Sequence, residues 1–324
     1  MHIPDGFLDA RTCVGAALVA VGGLGWSASR ARAGWNERTV PVLGVMSAFV
    51  FAGQMVNFPV VGGTSGHLLG GVLVALVMGP GAASMALACV LAVQCLLFQD
   101  GGITTFGANL CNLGLAGVWG GYGVWRMLHA FVPRPDARMR LAFAGVAAWF
   151  SVVLASVACG VELALSGTVQ LKVAVPAMAT IHSAIGVGEG LITASVLGFV
   201  WRVRPELVAP SPAAANAFPG SIKRTVTFGL CVALGVGILL APVASSLPDG
   251  LEKVATAFGF ENLTVARGPR VLPEYRVPWV SNVWMATALA AAFGVGATFL
   301  VAWGVGGLGG RRVRKQEADT GRVR

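Results

Sequence analysis

Residues 81–98 read GAASMALACVLAVQCLLF and contain no charged side chain. A run of this length suits the hydrocarbon core of a bilayer, which a helix of about 20 apolar residues crosses. Similar runs lie at about 12–26, 41–57, 67–79, 105–125, 141–161, 177–201, 225–244 and 279–304. Of the 324 residues, 56% are hydrophobic and only 11% are charged, which is too apolar for an ordinary soluble domain. The sequence therefore predicts an all-α polytopic membrane protein with nine apolar segments.

The distribution of lysine and arginine predicts the orientation of the chain, because cytoplasmic loops carry the excess of positive charge. If the N-terminus lies outside, the inner connections and the C-terminal tail hold 17 of the 23 lysines and arginines. The tail RRVRKQEADTGRVR at 311–324 carries six of them. We predict that the N-terminus is out and the C-terminus is in. The net charge of +9 is then a topology signal and indicates no nucleic-acid partner.

The chain divides once. A stretch at 202–224 rich in proline, alanine and serine predicts a cytoplasmic linker between a membrane domain at 1–201 and a second module at 225–324. This module reads as two helices around an outer loop at about 246–278, followed by the basic tail. In the first domain, the short segments 67–79 and 81–98 form either two spans or one tight helical hairpin. The first eleven residues lack the basic start of a signal peptide, so we expect an intact extracytoplasmic N-terminus.

Histidines are few, and their positions suggest a metal site. The chain has four, and the predicted topology places His2, His67 and His182 at outer helix ends, with His129 in an inner loop. The imidazole and backbone nitrogen of His2, together with the α-amino group of Met1, can close adjacent chelate rings around one ion. A fourth nitrogen must come from elsewhere. Planar coordination by four nitrogens favours Ni(II) or Cu(II), whereas the alternative is a solvated, frayed terminus.

His67 lies in FPVVGGTSGHLLGG at 58–71, where Pro59, Gly62, Gly63 and Gly66 interrupt any helix. Irregular backbone in a membrane protein commonly lines a binding site, so we predict such a site here. An ordinary outer loop would be equally rich in glycine.

Four stretches of the first 200 residues carry a resemblance. They are MHIPDGFLD at 1–9, GGTSGHLLGG at 62–71, QDGGITTFGANLCN at 99–112 and IHSAIGVGEG at 181–190. Together they resemble the substrate-binding (S) components of nickel and cobalt energy-coupling-factor (ECF) transporters, the NikM/CbiM family. The second module, with LPDGLEKVA at 247–255 and EYRVPWV at 274–280, is similar to the small NikN-type partner with its PDGLE domain.

The resemblance implies seven helices in the first domain and two in the appended module. It implies that the metal is held by the amino group of Met1, the backbone nitrogen and imidazole of His2, and the imidazole of His67. The metal would be the transported substrate, Ni(II) favoured over Co(II), with no cofactor. The implied partners are a membrane coupling (T) component and cytoplasmic ATPase subunits, and the implied location is the bacterial inner membrane. The sequence has no G-x-x-x-x-G-K-[ST] motif of its own.

The sequence leaves two other classes of function to consider. A membrane enzyme is not indicated, because no nucleophile, base and orienting group can be picked out. A proton-coupled carrier that works alone is the main rival, with Glu189 as its intramembrane carboxylate. His182 is seven residues before Glu189 and shares a helix face with it. Its side chain either supports the metal site or forms a structural hydrogen bond between helices.

Further residues have two open interpretations. Asp100, Asn109 and Asn112 either support the metal ligands or cap helices. In the first helix, Ala16 and Ala20 form a small-residue stripe that would let a coupling subunit approach closely.

Overall fold

The structure is a computed structural model that describes residues 1–32, 35, 39–203, 222–268 and 271–321, with side chains up to residue 309. The helices before the predicted linker are α1 (Ala10–Arg32), α2 (Thr39–Gln54), α3 (Gly71–Met78), α4 (Pro80–Val93), α5 (Phe106–Asn109), α6 (Val118–Phe131), α7 (Ala137–Leu165) and α8 (Leu171–Val203). After it come α9 (Ile222–Gly235), α10 (Gly250–Phe258) and α11 (Val283–Gly321). Most of the linker lies outside the described residues, as do Arg38, Arg204 and Arg270 of the charge pattern.

The membrane character predicted from the sequence is confirmed. In the described ranges, six helical stretches are long and apolar enough to cross a bilayer: Ala10–Arg32, Pro80–Phe98, Ala137–Leu165, Leu171–Val203, Ile222–Val243 and Val283–Gly309. The remaining apolar segments form shorter or interrupted helices. The number of helices that cross the bilayer and the side on which each terminus lies stay predictions.

Helices α3 and α4 meet at Gly79. Its φ of 86° lies in the region that favours glycine, and Pro80 then opens α4, where a missing N–H costs nothing. The two helices pack against each other, so the segments at 67–79 and 81–98 form a tight helical pair.

The interpretation of residues 58–66 as irregular backbone was wrong. Strands β1 (Phe58–Val60) and β2 (Thr64–Gly66) pair antiparallel, with Val60 opposite Thr64. Gly62 and Gly63 turn the chain between them with φ values of 94° and 71°. The hairpin satisfies backbone polar groups that an irregular segment would leave without partners, so the fold is not purely helical.

Helix α2 explains how the two parts of the chain join. It has 16 residues, and most of them are buried because α9 and α11 pack along it. Gly44 permits the closest approach, since a Cβ there would lie 2.8 Å from the ring of Phe299. The part of the chain after residue 222, here called the C-terminal module, is therefore packed against the first domain.

Helix α10 was not predicted. Asp249 caps its N-terminus in a reciprocal arrangement with Glu252, in which each side chain accepts from the other's backbone N–H. The preceding residues pair with β2: the Ser65 hydroxyl donates to the carbonyl of Leu247 at 2.7 Å, and the Ser65 N–H donates to Pro248 at 2.8 Å. The outer loop predicted at 246–278 is thereby fixed against the hairpin that precedes His67.

Candidate metal centre

The first residues of the chain lie inside the protein. Met1 is 4% exposed and Ile3 is fully buried. The backbone of Ile3 is held in both directions by Asn109, which accepts from its N–H at 2.8 Å and donates to its carbonyl at 3.0 Å. The Thr105 hydroxyl donates to the same carbonyl at 2.6 Å. These bonds argue against a frayed, solvated terminus.

Asp5 fixes the next turn of this segment. Its carboxylate accepts backbone hydrogen bonds from Ile103 at 3.1 Å and Thr104 at 2.8 Å. Its carbonyl accepts from the N–H of Val265, at 2.8 Å, which belongs to the C-terminal module. The N-terminal segment is thus held between a loop of the first domain and a loop of the module.

The loop that carries His67 is anchored from α8. Glu189 accepts from the backbone N–H groups of Leu69 at 2.6 Å and Gly70 at 2.9 Å, so both of its carboxylate oxygens are used. The side chain of Gln54 donates to the carbonyl of Leu69 at 3.0 Å. The intramembrane carboxylate noted in the sequence therefore holds the histidine loop in place.

Met1, His2 and His67 meet at one point. The α-amino nitrogen of Met1 lies 2.9 Å from Nε2 of His67, and the rings of His2 and His67 have centroids 5.3 Å apart. Nδ1 of His67 faces the carbonyl of Leu68 at 3.1 Å. Nδ1 is then the protonated nitrogen, and Nε2 presents its lone pair to the amino group.

Two carboxylates flank these nitrogens. Asp249 of the C-terminal module lies 2.9 Å from the amino nitrogen of Met1. Asp100 lies 2.8 Å from Nδ1 of His2, and it accepts a 2.6 Å hydrogen bond from the hydroxyl of Tyr275. Nε2 of His2 has no hydrogen-bond partner among the described residues.

The electrostatics of the cluster follow from burial and these pairs. Burial lowers the pKa of the Met1 amine, but Asp249 more than offsets this and leaves the pKa above its ordinary value. Burial, the nearby ammonium and His2 lower the pKa of His67 from 6.5 to about 3, so its ring is neutral. Burial disfavours the charge on Asp100, yet His2 holds its pKa well below the usual range.

His182 lies beside the cluster. It is 1% exposed, its Nδ1 faces the carbonyl of Met178 at 2.8 Å, and its Nε2 has no partner among the described side chains. A cavity of about 10 Å³ is lined by this ring together with Met1, His67 and Asp249. His182 is thus adjacent to the candidate ligands, on the side of α8.

The three polar residues predicted to support the ligands, Asp100, Asn109 and Asn112, do not all lie at the site. Asp100 contacts His2 and Asn109 holds Ile3, but Asn112 donates to Glu162 at 2.6 Å and contacts none of the candidate ligands. Residues Leu110–Gly117 are π-helical, so a spacing of three residues does not return to the same face. Support of the ligands by Asn112 is not borne out by these contacts.

The small-residue stripe of α1 faces the protein's own interior. Ala20 is 3% exposed, and the carbonyl of Ala16 accepts from the thiol of Cys111. A Cβ at the neighbouring Gly23 would strike Leu115. The stripe packs on the helical region that follows α5, so a coupling contact through the side chains of Ala16 and Ala20 is not supported.

A larger cavity of about 860 Å³ adjoins the site, and both His2 and His67 line it. Among the described residues, its charged lining is mostly acidic and includes one arginine: Asp5, Asp100, Asp249, Glu252, Glu261, Glu274 and Arg267. Most of these acids belong to the C-terminal module. A cleft with one sign of charge raises the local concentration of the opposite ion, so the cavity favours cations.

The donor set is unusual for a metal site. No cluster of three or more His, Cys, Asp or Glu side chains suited to a metal occurs in the described part of the chain. An ion held at Met1, His2 and His67 has to draw on main-chain nitrogen as well. Asp249 and Tyr275 were not predicted as neighbours of this point. The D-x-x-E capping pattern at 249–252 is the signal that could have indicated the start of α10.

Comparisons with known proteins agree with this architecture. The family model described as the cobalt uptake substrate-specific transmembrane region matches residues 2–207, and the PDGLE domain matches residues 223–311. A putative fused nickel transport protein NikMN of Archaeoglobus fulgidus is 35% identical over 86% of this chain and 89% of its own length. A fused nickel transport protein NikMN of Rhodobacter capsulatus is 32% identical over 80% of this chain and 75% of its own length.

A solved structure is also similar. The crystal structure of a truncated transition metal transporter superposes with a TM-score of 0.57 at 31% identity, covering 63% of this chain and 99% of that one. Fold and relatives define a multi-pass membrane protein of metal transport, which is not an enzyme. The chain belongs to the CbiM family of cobalt uptake substrate-specific transmembrane proteins, as a NikM/CbiM-type component fused to a NikN-like PDGLE module.

Proposed function

We propose that this chain captures one divalent transition metal ion through Met1, His2 and His67. The observation that carries the proposal is the 2.9 Å separation between the Met1 amino nitrogen and Nε2 of His67. Nδ1 of His2 is the ring nitrogen nearer to the backbone, so it can close a small chelate ring with the backbone nitrogen of the same residue. Two imidazoles, one amine and one backbone nitrogen then supply four nitrogen donors. The backbone nitrogen binds as a deprotonated amide, and its proton, like that of the Met1 ammonium group, is released to solvent.

Nickel is the proposed substrate in preference to cobalt. Four nitrogen donors in a plane suit Ni(II), although Co(II) accepts the same ligands. The fused relatives are named as nickel transport proteins, whereas the family model is described by cobalt. Competition calorimetry on the purified chain with both ions tests the preference. Tighter binding of Co(II) than of Ni(II) contradicts it.

Uptake is proposed to depend on partners. The chain contains no P-loop motif, so we propose that it is the S component of an ECF transporter, with a membrane coupling component and ATPase subunits. The metal site then faces the outside, with the N-terminus, and the basic tail faces the cytoplasm. Nickel uptake into vesicles with and without the partner subunits tests this. Accumulation by the chain alone contradicts it.

The rival, a carrier driven by protons, finds less support in the geometry. Its candidate carboxylate, Glu189, accepts two backbone hydrogen bonds from the loop after His67. A proton relay has to exchange partners during transport, whereas this carboxylate is committed to holding the loop. Uptake that persists when the proton gradient is collapsed, and stops when ATP is removed, separates the two hypotheses.

A further inference from the structure

The C-terminal module reaches the candidate metal site at two points. Asp249 contacts the amino group of Met1 at 2.9 Å, and Tyr275 reaches His2 through Asp100 at 2.6 and 2.8 Å. Asp249 contacts one nitrogen that the proposed function assigns as a metal ligand. Asp100, to which the Tyr275 hydroxyl donates, contacts another. The module thus contacts the first domain where the metal would bind, as well as along α2.

Asp249 is held rigidly in this position. It is the N-cap of α10, and its backbone N–H is bonded to the carboxylate of Glu252 at 2.9 Å. The backbone of Asp249 also forms an isolated parallel β-bridge with Ser65 of β2, two residues before His67. Directly behind it, Gly250 lies so close to His182 that a Cβ would come within 2.6 Å of the ring. The carboxylate therefore has little freedom to lie elsewhere.

The position of Tyr275 is also constrained by its neighbours. Its ring stacks on Phe98 with centroids 4.7 Å apart and an angle of 18° between the planes. Its φ of 57° is a left-handed conformation that is uncommon for a bulky residue and has to be supported by its surroundings. The hydroxyl is thereby directed at Asp100, which in turn faces Nδ1 of His2.

We infer that Asp249 and Tyr275 are positioning residues of the metal site, so that the C-terminal module completes the site contributed by the first domain. In the metal-free protein Asp249 holds the Met1 amine against His67, and Tyr275 fixes Asp100 beside Nδ1 of His2. When the metal takes these nitrogens, the two carboxylates lose those hydrogen bonds and stay beside the ion as counter-charges. This inference rests on the proposed function of the site. It gives the PDGLE module a role in forming the site, separate from any contact with other subunits.

The two carboxylates also match the charge of the substrate. A divalent ion beside two buried imidazoles is stabilised by nearby negative charge, because buried charges need partners. Asp249 attracts a divalent ion more strongly than it attracts the single charge of the ammonium group. Its removal is therefore expected to weaken metal binding even though it also frees the amine.

The test compares Asp249→Asn with Glu252→Gln in the full chain. Asparagine caps a helix as well as aspartate does, and glutamine keeps the capping-box bond, so both variants preserve α10. Each removes one negative charge from the same cavity, but only Asp249 touches Met1. We expect Asp249→Asn to weaken Ni(II) binding about 10- to 100-fold, and Glu252→Gln to weaken it less than about fivefold.

Two further readouts detect positioning directly. In the metal-free protein, acylation of the Met1 amine by a water-soluble reagent should be faster in Asp249→Asn than in Glu252→Gln. In the nickel-loaded protein, Tyr275→Phe should alter the visible absorption of the bound ion, because Asp100 loses its donor. The matched control is Tyr122→Phe, since Tyr122 stacks on Trp125 and is the chain's other tyrosine.

The outcomes separate the two proposals. If Asp249→Asn and Glu252→Gln have equal affinities and equal acylation rates while His67→Ala loses the metal, the positioning role is overturned and the metal site stands. An unchanged spectrum in Tyr275→Phe overturns the part assigned to Tyr275. If His67→Ala binds nickel as tightly as the unaltered chain, the proposed ligand set fails and the inference fails with it.

Discussion

The carboxylate of Asp249 lies 2.9 Å from the α-amino nitrogen of Met1. This pair joins the first residue of the chain to the N-cap of α10 in the C-terminal module. The same nitrogen lies 2.9 Å from Nε2 of His67, so the amino group is shared between a counter-ion and a neutral imidazole.

His67→Ala is expected to abolish tight nickel binding. The substitution removes the imidazole nitrogen that faces the Met1 amine and leaves three donors. Calorimetry on the purified protein measures the change. The control is His129→Ala, because His129 bonds the carbonyl of Trp125 and packs against Phe143, and that variant should bind as the unaltered chain does. Equal loss or equal retention in both variants contradicts the assignment.

An alanine inserted between Met1 and His2 is expected to cut nickel binding and uptake severely. It keeps every side chain but moves the imidazole to the third position, so the chelate rings no longer match a fixed His67. Acetylation of the N-terminus is the companion change, because it removes the donor ability of the amine, together with its charge pair to Asp249, without altering the sequence. Expression and membrane insertion, followed by immunoblot, should stay intact in both. If acetylated protein binds nickel normally, the amine is not a ligand.

Glu189→Gln is expected to lower thermal stability and to weaken nickel binding. The amide turns one donor toward the N–H of Leu69 or Gly70, and a buried N–H without an acceptor costs about 1–3 kcal/mol. Thermal unfolding and calorimetry measure the two effects. Glu274→Gln, at an exposed position, is the control for thermal stability. Normal stability and metal binding combined with lost uptake would instead support the proton-driven carrier.

Nickel affinity is expected to fall as pH falls through neutrality. The Met1 amine, whose pKa is raised by Asp249, is protonated below that pKa and has to lose its proton before it binds metal. The loss of affinity can reach about tenfold per pH unit for each proton released. His67, with a pKa of about 3, adds no proton between pH 5 and 8. Calorimetry in buffers of different ionisation enthalpy counts the protons released by the amine and by the backbone amide of His2, and a count of zero contradicts the prediction.

Association of nickel is expected to slow as ionic strength rises, because the acidic cavity attracts cations at long range. The double variant Glu261→Gln, Glu274→Gln should reduce the association rate at low salt by about 2- to 10-fold and leave the dissociation rate unchanged. Arg267→Gln removes the positive charge that Arg267 contributes to the lining and should act in the opposite direction. Stopped-flow measurements test both. Rates that do not respond to salt rule out steering by this cavity.

Much of the fold follows from local pattern. The apolar runs predicted the helical segments because each spans the bilayer or the core with its own backbone hydrogen bonds, which needs no knowledge of distant residues. The hairpin at 58–66 escaped prediction, since glycines at 62 and 63 fit both a loop and a turn between strands. Ala16 and Ala20 looked like a docking stripe because small residues serve contacts inside and outside the chain alike.

The sequence by itself determined the local chemistry of the candidate site. A histidine in second position brings its imidazole, its backbone nitrogen and the terminal amine within chelating distance by covalent geometry alone. Only the tertiary structure decided which groups surround them. Asp249, Tyr275 and Glu189 lie far from Met1 and His67 along the chain, and packing of α8, α10 and the hairpin brings them within hydrogen-bonding reach. Such pairings depend on how apolar faces pack between distant segments, so no spacing along the chain could have indicated them.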